Sequence, residues 1–114
     1  MQLITTLDGS AYQKVSYILD DGTECTMVFR FLPTQNRWVV DISDDSGFEV
    51  NGIFLCCYPN ILDKWHNIIK YGINVSTTDG IDPFRQNDFE TGYAFVAMLN
   101  EEEKKKATDF LNGL

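Results

Sequence analysis

The residue types in this chain most able to do chemistry are one histidine, three cysteines and two groups of carboxylates. His66 stands beside Trp65 on an amphipathic segment and reads as a partly exposed polar residue. A histidine–cysteine nucleophile would need Cys25, Cys56 or Cys57 in an electropositive pocket. Nine lysines and arginines against seventeen carboxylates leave little to build one. The three cysteines lack C-x-x-C spacing, and no other ligands fall at finger-like intervals, so a zinc site is not expected. Cys56 and Cys57 would point to opposite faces of a strand, and all three read as reduced thiols used as small apolar residues. The acidic run Asp41-Ile42-Ser43-Asp44-Asp45-Ser46-Gly47 invites comparison with a calcium loop, but its glycine comes one place late and its twelfth position is Gly52. Asp79, Asp82, Asp88 and Glu90 form the second group. A hydrolase would need two of these in one pocket with one pKa raised. There is no nucleophile elbow, phosphate loop or dinucleotide fingerprint. No enzyme, cofactor or metal site is expected.

The elements that must position these residues are mostly strands. From Cys25 to Gly52 two runs alternate apolar and polar residues. Cys25, Met27, Phe29 and Phe31 share one face, as do Trp38, Val40 and Ile42 in the next run, with Pro33-Thr34-Gln35-Asn36 and Asp44-Asp45-Ser46-Gly47 as reversals. Strands are expected at 2–6, 12–19, 24–32, 37–43, 53–58, 73–77 and 92–99, with Asp21-Gly22 closing a hairpin and Asn51-Gly52 marking a second hairpin or a bulge. The class is mainly β: an antiparallel β-sandwich or partly open β-barrel meander. A short helical segment is expected near 60–70 and a helix at the carboxyl end. In that helix Asn100 is the N-cap, Glu101–Glu103 fill the first turn, and Lys104–Lys106 follow at pairing distance. Ala107, Phe110, Leu111 and Leu114 form its apolar stripe, which would dock either on its own sheet or on a neighbouring subunit. Residues 1–99 are expected as one β domain and 100–114 as a helical extension.

Two strands carry apolar residues on both faces: Ile53 to Tyr58 (IFLCCY) and Gly92 to Leu99. One interior cannot cover both faces of both strands, so a partner outside the domain is expected to cover the rest. The candidate contact residues are Phe54 and Cys56 on the first strand and Ala94, Val96 and Met98 on the second. Trp65, Phe84 and Phe89 are candidates between them, and Phe110 and Leu111 on the helix. Trp38 shares a face with Val40 and Ile42 and reads as core; as a sugar platform, with Trp65 or Tyr93, it would instead make the chain a free-standing carbohydrate or small-ligand module.

Bulk properties fit a folded protein of one domain. The 114 residues are 44% hydrophobic and 13% aromatic, enough for a core without staples. A formal charge of −8 argues against nucleic acid, since the one basic run, Lys104–Lys106, directly follows three glutamates. No stretch is apolar enough to span a bilayer, and MQLITTLDGS lacks the basic flank of a signal peptide. Synthesis in a reducing cytoplasm is expected.

In order along the chain, Tyr12 to Leu19, Asp21-Gly22, Thr26 to Phe31, Asn36-Arg37-Trp38-Val39-Val40-Asp41-Ile42 and Gly47 resemble the small plug-type baseplate proteins of contractile-tailed (myovirus) cyanophages and related phages. That family's glycine-bearing apolar strand and N-L-L turn are similar to Val50-Asn51-Gly52-Ile53 to Leu55 and to Pro59-Asn60-Ile61-Leu62. Its D-P-x-x-x-D-x-x-G loop is similar to Asp82-Pro83, Asn87-Asp88-Phe89 and Gly92-Tyr93. The resemblance spans residues 10–99. It departs at Asp63-Lys64-Trp65-His66, where relatives often carry a basic or tyrosine-rich segment, and after Leu99. It implies a non-catalytic structural subunit of the virion's tail baseplate, at the plug or hub–tube junction. Its implied partners are other baseplate, hub and tail-tube proteins and further copies in a ring, as trimer or hexamer. The particle protein would be made in the host cytoplasm.

Overall fold

The computed structural model describes residues 2–113. Its strands are β1 (Gln2–Leu3), β2 (Tyr12–Ile18), β3 (Glu24–Leu32), β4 (Arg37–Asp44), β5 (Glu49–Phe54), β6 (Gly72–Thr77) and β7 (Ala94–Leu99), followed by helix α1 (Glu101–Asn112). β2-β3-β4-β5 form an antiparallel meander, and β1-β7-β6 a second antiparallel sheet. The architecture is a sandwich of two sheets with a carboxyl-terminal helix, not a closed barrel. Between the sheets, Met27 and Phe29 of β3 and Trp38, Val40 and Ile42 of β4 are buried with Ile73 and Val75 of β6 and Val96 and Met98 of β7. Among the described residues no helix is long and apolar enough to cross a membrane.

The turns follow their chemistry. Gly22 lies at φ 89° in the β2–β3 hairpin, a region glycine enters without steric cost. Asn51-Gly52 makes a bulge rather than a second hairpin, because the β4–β5 register shifts between Val40 and Ile42. There Gly52, at φ 75°, donates its amide to Asp41 Oδ1 at 2.8 Å.

Two expectations need correction. The IFLCCY run is not a strand buried on both faces: β5 ends at Phe54, and the chain then crosses to the other sheet, where Tyr58 bridges Val75. Leu55 is buried in this crossing, whereas Phe54 and Tyr58 are exposed. The short helical segment expected near 60–70 is present, as the 3-10 turn Asp63–Trp65. On β7, the face carrying Ala94, Val96 and Met98 is the inward one. Both alternations of that strand are apolar, so β7 alone does not choose. Its partner β6 does: Asn74 and Ser76 stand opposite Ala97 and Phe95, and that polar side takes the outside.

Polar ties lock the layers together. The Tyr71 hydroxyl, just ahead of β6, donates to Asp44 Oδ2 at the end of β4 (2.8 Å). Burial pushes the Asp44 carboxyl up, but the hydroxyls of Ser46 and Tyr71 and the amides of Ser46 and Phe48 outweigh it and hold the group below its ordinary value. Burial, with Cys25 and Asp44 beside it, pushes the Tyr71 phenol up.

Helix α1 starts on a closed capping box, with the Glu103 amide donating to Asn100 Oδ1 and the Asn100 amide to Glu103 Oε1. Glu102 and Lys106 pair at 3.6 Å. The helix lies against β6, β7 and the 3-10 turn, yet none of its side chains is fully buried. Leu111 is half-buried and Phe110 exposed; Leu114, the last residue of the expected stripe, lies outside the described residues. What grips the helix is polar. Lys104 Nζ donates to the carbonyls of His66 (2.7 Å) and Ile69 (2.8 Å), and Thr108 Oγ1 donates to Asp63 Oδ1 (3.1 Å).

Two outcomes are expected. Tyr71→Phe should lower unfolding stability at pH 7 by about 1.5 to 3 kcal/mol, the range for a hydrogen bond to a charged group. A carboxyl lowered by folding stabilises above its unfolded pKa, about 3.9 for aspartate, and that contribution is lost as pH falls through the folded value. Urea titrations should therefore show the deficit of Tyr71→Phe shrinking below about pH 4; a deficit constant with pH would remove Asp44 from the account. Lys104→Met should speed amide exchange throughout α1 while core strands exchange as before. Unchanged exchange would mean that Thr108 and Leu111 hold the helix without Lys104.

Candidate functional site

Trp38 organises an exposed apolar face of the molecule. Its ring is fully buried, 5.4 Å from Phe31 and 5.0 Å from Phe89, and its Nε1–H donates to the Arg85 carbonyl at 3.0 Å. The 84–88 turn that carries this carbonyl is closed by Asp88. Oδ2 of that buried carboxylate accepts the amides of Phe84 and Arg85, each at 2.9 Å, and Oδ1 accepts Arg85 Nε at 2.7 Å. Every donor it needs is within three or four residues, so the charge is satisfied without water.

Outside this turn the side chains form a continuous run. The Phe84 ring meets Tyr93 edge-on at 6.1 Å, and the Arg85 guanidinium lies over both, 4.6 and 4.8 Å from their centroids. The Tyr93 hydroxyl donates to Asp79 and to the Ile81 carbonyl, and that first bond, aided by the Ile81 amide, holds the Asp79 carboxyl low. Next along the chain, Asp82 accepts the Cys57 amide (2.8 Å) and faces Arg37 at 3.9 Å. Arg37 in turn lies 4.3 Å above the Phe54 ring. Phe54 (43% exposed), Ile81 (58%) and Phe84 (41%) thus stand out from a framework that holds two guanidinium groups between them. Aromatic and aliphatic anchors set among arginines are the composition of protein–protein contact centres.

The same geometry separates the groups that chemistry would need together. Asp79, Asp82 and Asp88 each serve a different local partner. None of them, nor Glu90, lines the cleft of about 410 Å³ between Tyr17, Leu19, Tyr71 and the start of α1. Asp41 binds Arg30 through both oxygens (2.9 and 3.0 Å), which holds its carboxyl low, and Asp44 caps its own turn. His66 Nδ1 donates to the Asp63 carbonyl at 2.6 Å, the only role open to it against an acceptor. The Cys25 thiol is pushed up to about 11 by burial. Among the described residues, no three histidine, cysteine or acidic side chains converge as metal ligands.

The residues expected to contact partners divide into three groups. Phe54 and Phe84 lie on the exposed run, and Cys56 is half-buried, close enough to Asp82 and Arg37 to feel both charges. Trp65 is half-buried, edge-on to Phe48 at 6.0 Å, while Phe110 and Leu111 belong to α1. Phe89, Ala94, Val96 and Met98 are core and are not available to a partner in the folded chain. Sequence reading missed Ile81 and Arg37 as members of the run. Ile81, an isolated apolar residue amid Asp79-Gly80 and Asp82-Pro83, was the available signal.

A family model described as "Cyanophage baseplate Pam3 plug gp18" matches residues 1–101 of the chain. No curated protein matches it.

The matched segment contains the whole exposed run and its anchor, which a single substitution isolates. Trp38→Phe keeps a buried ring but strands the Arg85 carbonyl without its donor. The expected result is a loss of about 1 to 3 kcal/mol and faster amide exchange and proteolysis in 81–88. Parent-like exchange there would show that Asp88 holds the turn unaided.

Proposed function

The chain belongs to the cyanophage baseplate plug family, and from that premise we propose that it is a structural subunit of a contractile-tail baseplate, acting at the plug or hub–tube junction by protein contact and without catalysis. The observation that carries the reading is the Phe54–Arg37–Asp82–Ile81–Phe84 run, which has an interface's composition on rigid backbone. It presents apolar area already ordered by cation–π and ion-pair contacts, so little side-chain entropy remains to be lost on docking. The partners are other baseplate, hub or tube proteins, and the location is the virion tail. The formal charge of −8 keeps free subunits apart until a specific contact overrides it.

The test combines Phe54→Ser, Ile81→Ser and Phe84→Ser in one variant and measures co-purification with the tail proteins of its source particle. All three side chains are largely in water, so thermal melting should stay near that of the parent while co-purification is lost. A stable variant that still enters the complex would move the contact elsewhere. A parent chain that ignores tail proteins and binds a glycan array would replace the structural reading with the ligand-module one.

A further inference from the structure

Each sheet of the sandwich has two edges, and three of the four are blunted. β1 is only two residues long. β5 carries the Asn51-Gly52 bulge. β6 is covered by the crossing chain: Tyr58 and Val75 exchange amide bonds, the Ile61 amide reaches the Ile73 carbonyl, and Asn60 Oδ1 takes the Ile73 amide. Bulges, short strands and covering loops are the usual protections of a sheet edge. β2 has none of them. It runs seven residues, Tyr12–Ile18, in unbroken register with β3 and without proline.

The hydrogen-bond parity of this edge is fixed. The Phe31 amide bonds the Ala11 carbonyl and the Leu19 amide bonds the Thr23 carbonyl, so odd residues of β2 face β3 through their backbones. The N–H and C=O groups of Tyr12, Lys14, Ser16 and Ile18 therefore point away from the sheet. Among the described residues no turn, loop or side-chain bond takes them up. Tyr12 and Ile18 are each 66% exposed, far more than apolar residues inside a sheet.

We propose that β2 pairs with β2 of a second copy of this chain, antiparallel about a two-fold axis at Val15. In this register Tyr12 of each copy faces Ile18 of the other, and Lys14 faces Ser16, each pair exchanging both backbone bonds. The sequence favours it over its neighbours. Centring the axis on Lys14 sets like charges directly opposite, and centring it on Ser16 shifts Tyr12 onto Asp20 at the turn. Only the Val15 axis matches apolar to apolar, keeps the two lysines apart and pairs all seven residues. On the inward side Val15 would meet Val15, and Gln13 would meet Tyr17. Val15 and Tyr17 already pack on the core, half-buried, so pairing closes the open margin of each core. An isologous contact of this kind closes as a pair; a ring would need a second surface. The inference goes beyond the plug reading and does not depend on it, because it concerns the purified chain alone.

Sedimentation of the pure chain over a concentration series is expected to shift from the mass of one chain toward two. Because each copy is strongly negative, added salt should strengthen the association. Amide exchange of Tyr12, Lys14, Ser16 and Ile18 should slow with concentration while the other strands do not change. Ser16→Pro removes an outward N–H and leaves the bonds to β3 in place, so it should melt like the parent and remain one chain. A parent that stays monomeric throughout overturns the proposal, as does a Ser16→Pro variant that still pairs. Should Ser16→Pro fail to fold, parent exchange decides, and β2 amides that ignore concentration while the mass doubles overturn it. A parent chain that stays monomeric yet co-purifies with baseplate proteins would reject this contact and leave the plug reading standing.

Discussion

The Trp38 indole is the point on which the rest of the molecule turns. Its ring fills the space between the sheets, and a buried indole must also place its N–H. The placement chosen, the Arg85 carbonyl, reaches forty-seven residues along the chain and out of the core. A loop of polar and turn-forming residues, which by itself would explore many conformations, is thereby tied to the most rigid part of the sandwich. Asp88 completes the constraint from within the loop, taking two amides and one guanidinium on a carboxylate that has no exposure to water. Apolar packing positions the ring, the ring positions a carbonyl, and the carbonyl positions Phe84 and its neighbours. The exposed face is an extension of the core by one hydrogen bond.

Carboxylates do similar positioning work over the rest of the surface. Most of its well-placed acids act locally. Asp8, Asp21, Asp44 and Asp79 each accept the amide two residues ahead, a side-chain mimic of a backbone turn. Asp41 and Asp82 have longer reach, tying β4 to β3 and the 57–82 region together. The acidity of the chain is in large part the chemistry of its turns.

The meander was legible because its alternation is strict and its turn residues are diagnostic: β3 runs over Glu24–Leu32 as expected, and the bulge sits at Asn51-Gly52. What was not legible had a common cause, namely apolar sequence whose direction is set by something distant. IFLCCY has no polar residue to mark where the strand stops and the crossing begins. β7 offers two apolar faces, and only Asn74 and Ser76 on β6 decide between them. Three of the core residues taken for contact residues, Ala94, Val96 and Met98, followed from that one ambiguity. The exposed run was half legible: its aromatic members stand out in the sequence, but its arginines take their meaning from contacts across the fold.

The helix shows how an element beyond the family match is held. It joins two segments remote along the chain, Asp63-Lys64-Trp65-His66 and the stretch after Leu99. In the fold they meet. Lys104 reaches the His66 carbonyl and Thr108 the Asp63 carboxylate, so the two segments are opposite sides of one contact. The family match ends at residue 101, where α1 begins. Nothing in the core requires the helix, since none of its side chains is fully buried. It docks instead on the carbonyls of His66 and Ile69, in the stretch that follows the 3-10 turn at Asp63–Trp65. An element that docks by hydrogen bonds rather than by apolar contact leaves the interior as it is, so the segment beyond the family match is held without any change in the packing of the sandwich.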